Sequence, residues 1–371
     1  MHCMTPIALN GRFSGTREPT GTQVASFQLF EAILRQGGHR SGELRFVVFA
    51  DKRFPGVKDW ERLPGVTFVQ TPFQDWGKAR CHFWEQFLAA PLARRHGCRL
   101  MHHPMNTSPS FPGGIDHIVT LHDLNFLLHP EWYARSFRLV YALCAMPGLR
   151  HHRCVVTISE YVRREAESVL GRVPGSLRMI HDGVKPLKAP HPWAGNYLFA
   201  AGSLQPHKNL ARLIKAFRVI SSSSPGLELV VAGRKQIPFT ADPELSRLME
   251  TPGLRFTGYL SEEELANAYA GAKVFCFPSL EEGFGLPVLE AMSLGCPVLT
   301  SNTSCLPEIA GPALQVDPYS VEAIAEGLLY LLDLPPAKRK QLSTAGKTWC
   351  DGFTWEDSAK KYLALYRELN T

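Results

Sequence analysis

Two successive α/β domains, each a parallel sheet covered by helices, are the fold class this sequence predicts. Three observations predict it. Short β-rich runs alternate with helical patterns through nearly the whole chain. The length, 371 residues, exceeds what one hydrophobic core normally organises. Between two such alternations of similar size lies Lys185–Gly195, KPLKAPHPWAG, whose three prolines and missing apolar period mark a linker.

In the first half, strands are expected at Leu44–Ala50, Val66–Thr71, Leu100–His103, His117–Leu121, Cys154–Ile158 and Arg178–His181. Helices are expected at about Gly21–Arg35, Arg80–His96, Glu131–Leu149 and Glu160–Leu170, with Ser159 at an N-cap position. In the second half, strands are expected at Tyr197–Ala201, Leu227–Ala232, Leu254–Thr257, Val274–Phe277 and Val298–Thr300. The helices there are Asn209–Ile220, Glu262–Ala270, Pro287–Leu294 and Val321–Leu332, and Ser261 with Glu264 forms a capping box. A last amphipathic helix, Trp355–Leu369, follows the break at Asp351-Gly352. No internal repeat recurs at a fixed period. The expected domains are 1–185 and 186–353, with 354–371 returning to the first. Ligands of open parallel sheets bind beyond the carboxyl ends of the strands, so a deep cleft between the two domains is where chemistry is expected.

Composition narrows the class. Hydrophobic residues at 45% and charged residues at 20% exclude disordered, collagen-like and low-complexity chains. The longest strongly apolar run, Leu139 to Leu149, spans 11 residues between Arg138 and Arg150, too short to cross a bilayer. The first residues, MHCMTPIALNGRF, lack the pattern of a secretory signal, so a cytoplasmic location is expected. Nine cysteines without CxxC spacing read as reduced core fillers. The formal charge is +6, and the excess lies in residues 1–185, with 23 basic against 15 acidic side chains. That asymmetry suits an anionic partner such as the inner face of a membrane, or it is simply a set of solvated helix faces. Nucleic acid is not expected, because no binding motif accompanies the basic residues.

The most informative stretch runs from Phe277 to Gly295. A strand ends near Phe277, a loop with Gly283 and Gly285 follows, and a helix opens near Pro287, a residue suited to a first helical position. The N–H groups of Gly285 and Leu286 then point out of the helix start, an arrangement that binds anions. Glu282 lies in the loop and Glu290 about one turn inside the helix. Carboxylates beside a phosphate are repulsive unless they hold hydroxyls, because an ionised carboxylate only accepts hydrogen bonds. A ribose and a hexose on either side of a diphosphate satisfy both, which points to a nucleotide-sugar. On spacing alone the alternative stays open: two glutamates eight positions apart, one merely offsetting the helix dipole.

These residues resemble a family. Glu282 to Glu290, enclosing GFGLP, is similar to the E-x7-E motif of the retaining glycosyltransferases of family 4, which have the two-domain GT-B fold. Further ordered matches are NGRFSGTREPTGTQ near the start, HPMNTSPS at 103–110, VTLHDLNFLLHPEWY at 119–133, VVTISEYVRRE at 155–165, GSLQPHKNLARLIKAF at 202–217 and CPVLTSNTSCLPEIAG at 296–311. The pattern resembles most the bacterial mannosyltransferases of surface-polysaccharide assembly.

The resemblance implies roles. Glu290 would hold the ribose hydroxyls, Glu282 the transferred sugar, and the amides of Phe284, Gly285 and Leu286 the distal phosphate and sugar. Lys208 matches the lysine that neutralises the donor diphosphate, and a lysine with a helix terminus can stabilise that leaving group without metal. Many relatives carry arginine at the position of Ser203, and Arg234, with Lys235 behind it, is expected to substitute for it. His122, at the end of the strand HIVTL, resembles the histidine that lines the reacting sugar; a structural turn or a metal ligand are its other readings. Gly21 and Thr22 look like the glycine loop closing over the phosphates. No Asp-x-Asp motif occurs, so no metal or other cofactor is expected. The implied donor is GDP-mannose and the implied acceptor a lipid-linked saccharide. A UDP- or dTDP-sugar with a soluble acceptor, and a catalytically silent sugar-nucleotide-binding protein, are the rival readings.

Overall fold

The computed structural model describes residues 5–40, 44–171, 176–233 and 243–370. Two compact units emerge. The first comprises the chain before Asn125, Ser136–Gly183 and the chain after Phe353; the second comprises Asn125–Arg135 and Val184–Phe353. A division at residue 185 therefore misses that Asn125–Arg135 packs with the second unit.

The first unit holds a seven-stranded sheet: β1 (Ile7–Gly11), β2 (Phe46–Ala50), β3 (Val66–Gln70), β4 (Leu100–His103), β5 (Asp116–Leu121), β6 (Cys154–Thr157) and β7 (Leu177–Met179). Its spatial order is β3-β2-β1-β4-β5-β6-β7 and every pairing is parallel. The second unit holds β8 (Tyr197–Ala201), β9 (Glu228–Ala232), β10 (Leu254–Gly258), β11 (Val274–Phe277), β12 (Val298–Ser301) and β13 (Leu314–Val316), ordered β10-β9-β8-β11-β12-β13 and again all parallel. Both are doubly wound sheets. Chain direction across the sheet reverses between β1 and β4 in one and between β8 and β11 in the other, the switch points at which such sheets open a crevice. Central strands such as FVVFA of β2 are buried throughout because helices cover both faces.

Among the elements that lie where the sequence suggested none are β1, β13 and helices at Pro243–Leu248, Leu306–Ile309 and Pro336–Cys350. Two expected helices are interrupted. The run Arg80–His96 contains a π-helical turn at Trp84–Leu88. The run Glu131–Leu149 divides into Arg135–Cys144 and Met146–His151. Pro147 explains the second break: it has no N–H for the carbonyl of Leu143. The Ser110 hydroxyl donates to that carbonyl instead, at 2.9 Å.

The C-terminal helix Trp355–Leu369 belongs to the first unit, capped by Thr354, whose side chain accepts from the Asp357 amide. Its Tyr366 hydroxyl lies 2.6 Å from His102 Nδ1 and its Tyr362 hydroxyl 2.8 Å from Thr120 Oγ1, all buried. Seven of the eight cysteines among the described residues are buried. No helix among those residues is long and apolar enough to cross a membrane.

Candidate active site

The β8/β11 switch point gathers most of the expected site. After β8 the chain runs through Gly202 and Ser203 into a tight turn, Pro206–Lys208. After β11 it forms the loop that carries Glu282 into the helix Leu286–Ser293. Three bonds join these two segments. The Leu280 amide donates to the His207 carbonyl (2.7 Å), Asn209 Nδ2 donates to the Pro278 carbonyl (2.9 Å), and Lys208 Nζ donates to Glu282 Oε1 (2.6 Å). Asn209 is in the left-handed region, φ 58°, a conformation that asparagine tolerates better than most side chains. Its Nδ2 also donates to the Pro318 carbonyl at 2.7 Å.

Hydroxyls brace the loop from the other side. Thr300 donates to the Phe277 carbonyl (3.0 Å), Ser301 to Ser279 (2.6 Å) and Thr303 to Leu280 (3.2 Å). Three residues of the stretch Thr300–Thr303 thus satisfy carbonyls at the end of β11 and in the loop after it. Lys208 is held above the Phe277 ring, 5.1 Å from its centre, and with Ser203, Pro278 and Ser279 it lines a small cavity.

Gly285 sits at the N-cap with φ 95°, a conformation that favours glycine, and a Cβ there would come within 2.8 Å of Leu306 Cδ2, which would have to shift. The helix begins at Leu286 with Pro287, which has no N–H, next, and the Val288 amide donates to the Gly285 carbonyl at 2.9 Å. Phe284, immediately before, is buried with its ring edge-on to Phe353. Glu290 lies one turn into the helix. The Tyr269 hydroxyl donates to its Oε2 at 3.2 Å, and burial pushes its carboxyl up to about 7. Tyr269 is pinned by edge-on contacts with Phe199 and Phe275. Burial, and next the charge of Glu290, hold the Tyr269 phenol well above its usual range, so it remains a donor.

Sequence reasoning missed a strap from Asn125–Arg135. His129 stacks on Trp132 at 4.0 Å, Trp132 meets the buried His207 ring at 5.6 Å, and His129 Nε2 lies 3.8 Å from Glu281 Oε2. These residues adjoin the Lys208 turn and the Glu282 loop. The string HPEWY hinted at them, since a helix-breaking proline beside two rings rarely continues a helix. Arg234 and Lys235, the expected second cations, lie outside the described residues.

His122, Gly21 and Thr22 are in the first unit. His122 follows β5, buried; its amide takes the Asn106 side-chain oxygen at 2.7 Å and its Nε2 faces the Pro104 carbonyl at 2.8 Å. A carbonyl only accepts, so Nε2 carries the proton and Nδ1 is the acceptor nitrogen. Burial lowers the imidazole to about 4, keeping it neutral at physiological pH. Gly21 opens the helix Gly21–Arg40, whose start is fixed by Gln23 Oε1 accepting from the Thr20 amide at 2.8 Å. A Cβ on Gly21 would meet nothing within 4 Å, so packing does not demand glycine there. At the β1/β4 switch point lies a second polar cluster. Glu85, on the π-helical turn, accepts from Asn10 (2.8 Å), Thr107 (2.8 Å) and Arg12 (3.2 Å). Although burial opposes it, Arg12 and His103 bring the Glu85 carboxyl down to about 2.

Comparison with known proteins bears first on the second unit. Residues 187–349 match the family described as glycosyl transferases group 1. Over that stretch the chain is similar to group 1 glycosyltransferases. The O-antigen chain mannosyltransferase B of Escherichia coli is 29% identical over 278 residues, 68% of this chain and 70% of that protein. The serotype-specific mannosyltransferase WbdA of the same species is 33% identical over 188 residues, 49% of this chain but only 23% of that much longer relative. Among solved structures, a sucrose-phosphate synthase from Thermosynechococcus elongatus superposes with a TM-score of 0.70 at 21% identity, covering 98% of this chain and 99% of that one. The chain thus has the GT-B fold, and its relatives include an O-antigen chain mannosyltransferase.

Proposed function

We propose that the transferase moves a mannosyl group from GDP-mannose to a saccharide acceptor borne on a lipid, with retention of anomeric configuration and without a metal ion. The observation that carries this reading is the arrangement at the β8/β11 switch point: Lys208 paired with Glu282, beside a helix start with Glu290 one turn inside. The mannosyl choice is supported by the sequence resemblance and by the mannosyltransferase relatives.

In this reading the donor diphosphate takes Lys208, and the Lys208–Glu282 pair opens. Glu282 is then free to accept from hydroxyls of the transferred sugar. The amides of Phe284, Gly285 and Leu286 meet the distal phosphate, where the helix dipole favours negative charge. Glu290 accepts from both ribose hydroxyls, which requires its carboxylate form. Arg234 supplies the second diphosphate cation in place of Ser203, and Gly21 and Thr22 close over the phosphates. His122 orients the sugar, its Nδ1 accepting from a sugar hydroxyl. As the bond from the anomeric carbon to the diphosphate breaks, the acceptor oxygen bonds to that carbon on the same face and the departing phosphate oxygen takes its proton, a route with no covalent glycosyl-enzyme.

A thermal-shift panel of GDP, UDP, dTDP and ADP, with and without EDTA, tests the donor, because a ligand of the native state raises its stability by mass action. GDP alone should raise the melting temperature, equally with EDTA. A response to UDP or dTDP instead would replace the donor, and a response abolished by EDTA would overturn metal independence. An inverted anomeric product by NMR would overturn retention.

A further inference from the structure

A further cavity opens in the second unit, away from the loop that carries Glu282. Its volume is about 500 Å³, inside the range of about 300–1,000 Å³ that small-molecule sites occupy. Asn196, Leu227 and Lys273 line it, and each is the last residue before a strand, respectively β8, β9 and β11. These strands are neighbours in the sheet, so the cavity lies under its amino edge. Lys208 and Glu282 stand beyond the carboxyl ends of β8 and β11. The five residues of β8 alone separate the two places by about 15 Å. The cavity is therefore no part of the arrangement at the switch point.

Its lining is rich in donors and holds no Asp or Glu. Arg339, on the helix Pro336–Cys350, donates to the Lys273 carbonyl at 2.7 Å and to the Leu331 carbonyl at 2.7 Å. Those bonds use two of its five N–H groups and orient the guanidinium without neutralising it. They also fasten it beside Lys273, and neither cation pairs with a carboxylate among the described residues. Two like charges held together repel, and an anion between them removes that cost. Ser224 adds a hydroxyl. The three serines before it turn theirs onto their own helix: Ser221 donates to the Arg218 carbonyl (3.0 Å), Ser222 to Val219 (3.1 Å) and Ser223 to Ile220 (3.0 Å). Ser224 makes no such bond and lines the cavity. Asn196 gives its backbone carbonyl to the Glu228 amide at 3.0 Å, and its side-chain amide has no partner.

This chemistry selects the occupant. A pre-oriented guanidinium beside an ammonium matches the oxygens of a phosphoryl group. A bare phosphate would leave most of the volume empty. The rest of the wall is mixed: Leu227 and Leu332 are apolar, while Asn196 and Ser224 offer hydrogen bonds to hydroxyls. A small organic phosphate meets every part, with its phosphoryl group on Arg339 and Lys273 and its hydroxyl-bearing carbon skeleton against the remainder. We propose that this cavity binds a phosphorylated polyol of the sugar phosphate class, as a second ligand apart from the nucleotide donor. The inference goes beyond the donor reading and does not depend on it.

The test is titration calorimetry of the full chain with glucose 6-phosphate, fructose 6-phosphate and glycerol 3-phosphate, beside inorganic phosphate and glucose. At least one ester should bind about tenfold or more tightly than inorganic phosphate, and glucose should not bind. Affinity for the ester should weaken as salt rises from about 0.1 M to about 0.5 M. Lys273→Glu and Ser224→Asp should each lower that affinity about tenfold or more, since each sets a carboxylate against the phosphoryl group. Lys273→Ser only truncates an exposed side chain, and it supplies the measurement should either of those variants fold poorly. Lys208→Ala should bind the ester as the native chain does. Binding of none of the three esters overturns the proposal, and so does binding that the Lys273 and Ser224 variants retain. Loss of binding in Lys208→Ala overturns it too, because the ester would then sit at the switch point. Equal affinity for inorganic phosphate and the esters leaves the carbon skeleton without a place and also overturns it. A failed ester panel leaves the nucleotide panel untouched, and a failed nucleotide panel leaves the ester result standing.

Discussion

At Glu290 stability and function pull in opposite directions. Folding raises its carboxyl from 4.5 to about 7, chiefly by burial. A carboxyl raised in this way contributes most to stability below its unfolded value and loses that contribution as pH climbs through about 7. Donor binding in the proposed reading needs the ionised form, so nucleotide affinity should fall as pH drops below about 7. Glu290→Gln should therefore melt higher than the native chain at pH about 8, bind nucleotide about tenfold or more weakly, and lose the pH dependence. Melting curves and titration calorimetry across that range check all three. Lys208 offers a second residue-scale test. Removing it leaves Glu282 without its 2.6 Å partner and the diphosphate without its cation, so Lys208→Ala should weaken nucleotide binding about ten- to a hundredfold by calorimetry. Glu290 was singled out by local chemistry, a glycine loop, a proline-started helix and acids at fixed spacing, whereas Lys208 was singled out only through the family resemblance. Tyr269 was not legible, since its tie to Glu290 spans 21 positions and depends on where two helices pack.

Elements whose period the sequence displays were readable, and those without one were not. The helix Pro336–Cys350 buries only Gly346 and Cys350, so no apolar stripe announces it. β1 is five buried residues, IALNG, too short for periodicity to separate strand from helix. The strap 125–135 escaped notice because its partners, His207 and Glu281, are distant in sequence. It has a measurable consequence. Trp132 contacts the His207 ring, whose backbone carbonyl holds Leu280, so Trp132 positions the turn and the loop that carry Lys208 and Glu282. Trp132→Ala should lower nucleotide affinity about tenfold while Trp132→Phe preserves it, because small misplacements of charged groups weaken binding steeply. Titration of both variants with GDP checks this, and equal losses in the two would assign Trp132 a hydrogen-bonding role instead.

For the whole molecule, the last fifteen residues of regular structure finish a core begun by the first. The helix Trp355–Leu369 packs along Gly21–Arg40, where a Cβ on Gly37 would stand 3.0 Å from Leu363. Its two tyrosines reach into the sheet, to His102 on β4 and Thr120 on β5, and His102 Nε2 lies 2.8 Å from Thr120 Oγ1. That chain of four polar groups is buried, and each member depends on the next. Burial holds His102 well below its usual range, so it stays neutral; one ring nitrogen donates and the other accepts. Tyr366→Phe removes one link and leaves His102 Nδ1 unmatched, which should cost about 1–3 kcal/mol. Deleting residues 354–371 removes two links and uncovers Phe46, whose ring meets Tyr366, so the first unit should lose its cooperative melting transition. A single substitution that only lowers the melting temperature, beside a deletion that abolishes the transition, would show by calorimetry that the terminal helix is part of the first sheet's core. Identical small shifts in both would mean that the helix is an accessory to it.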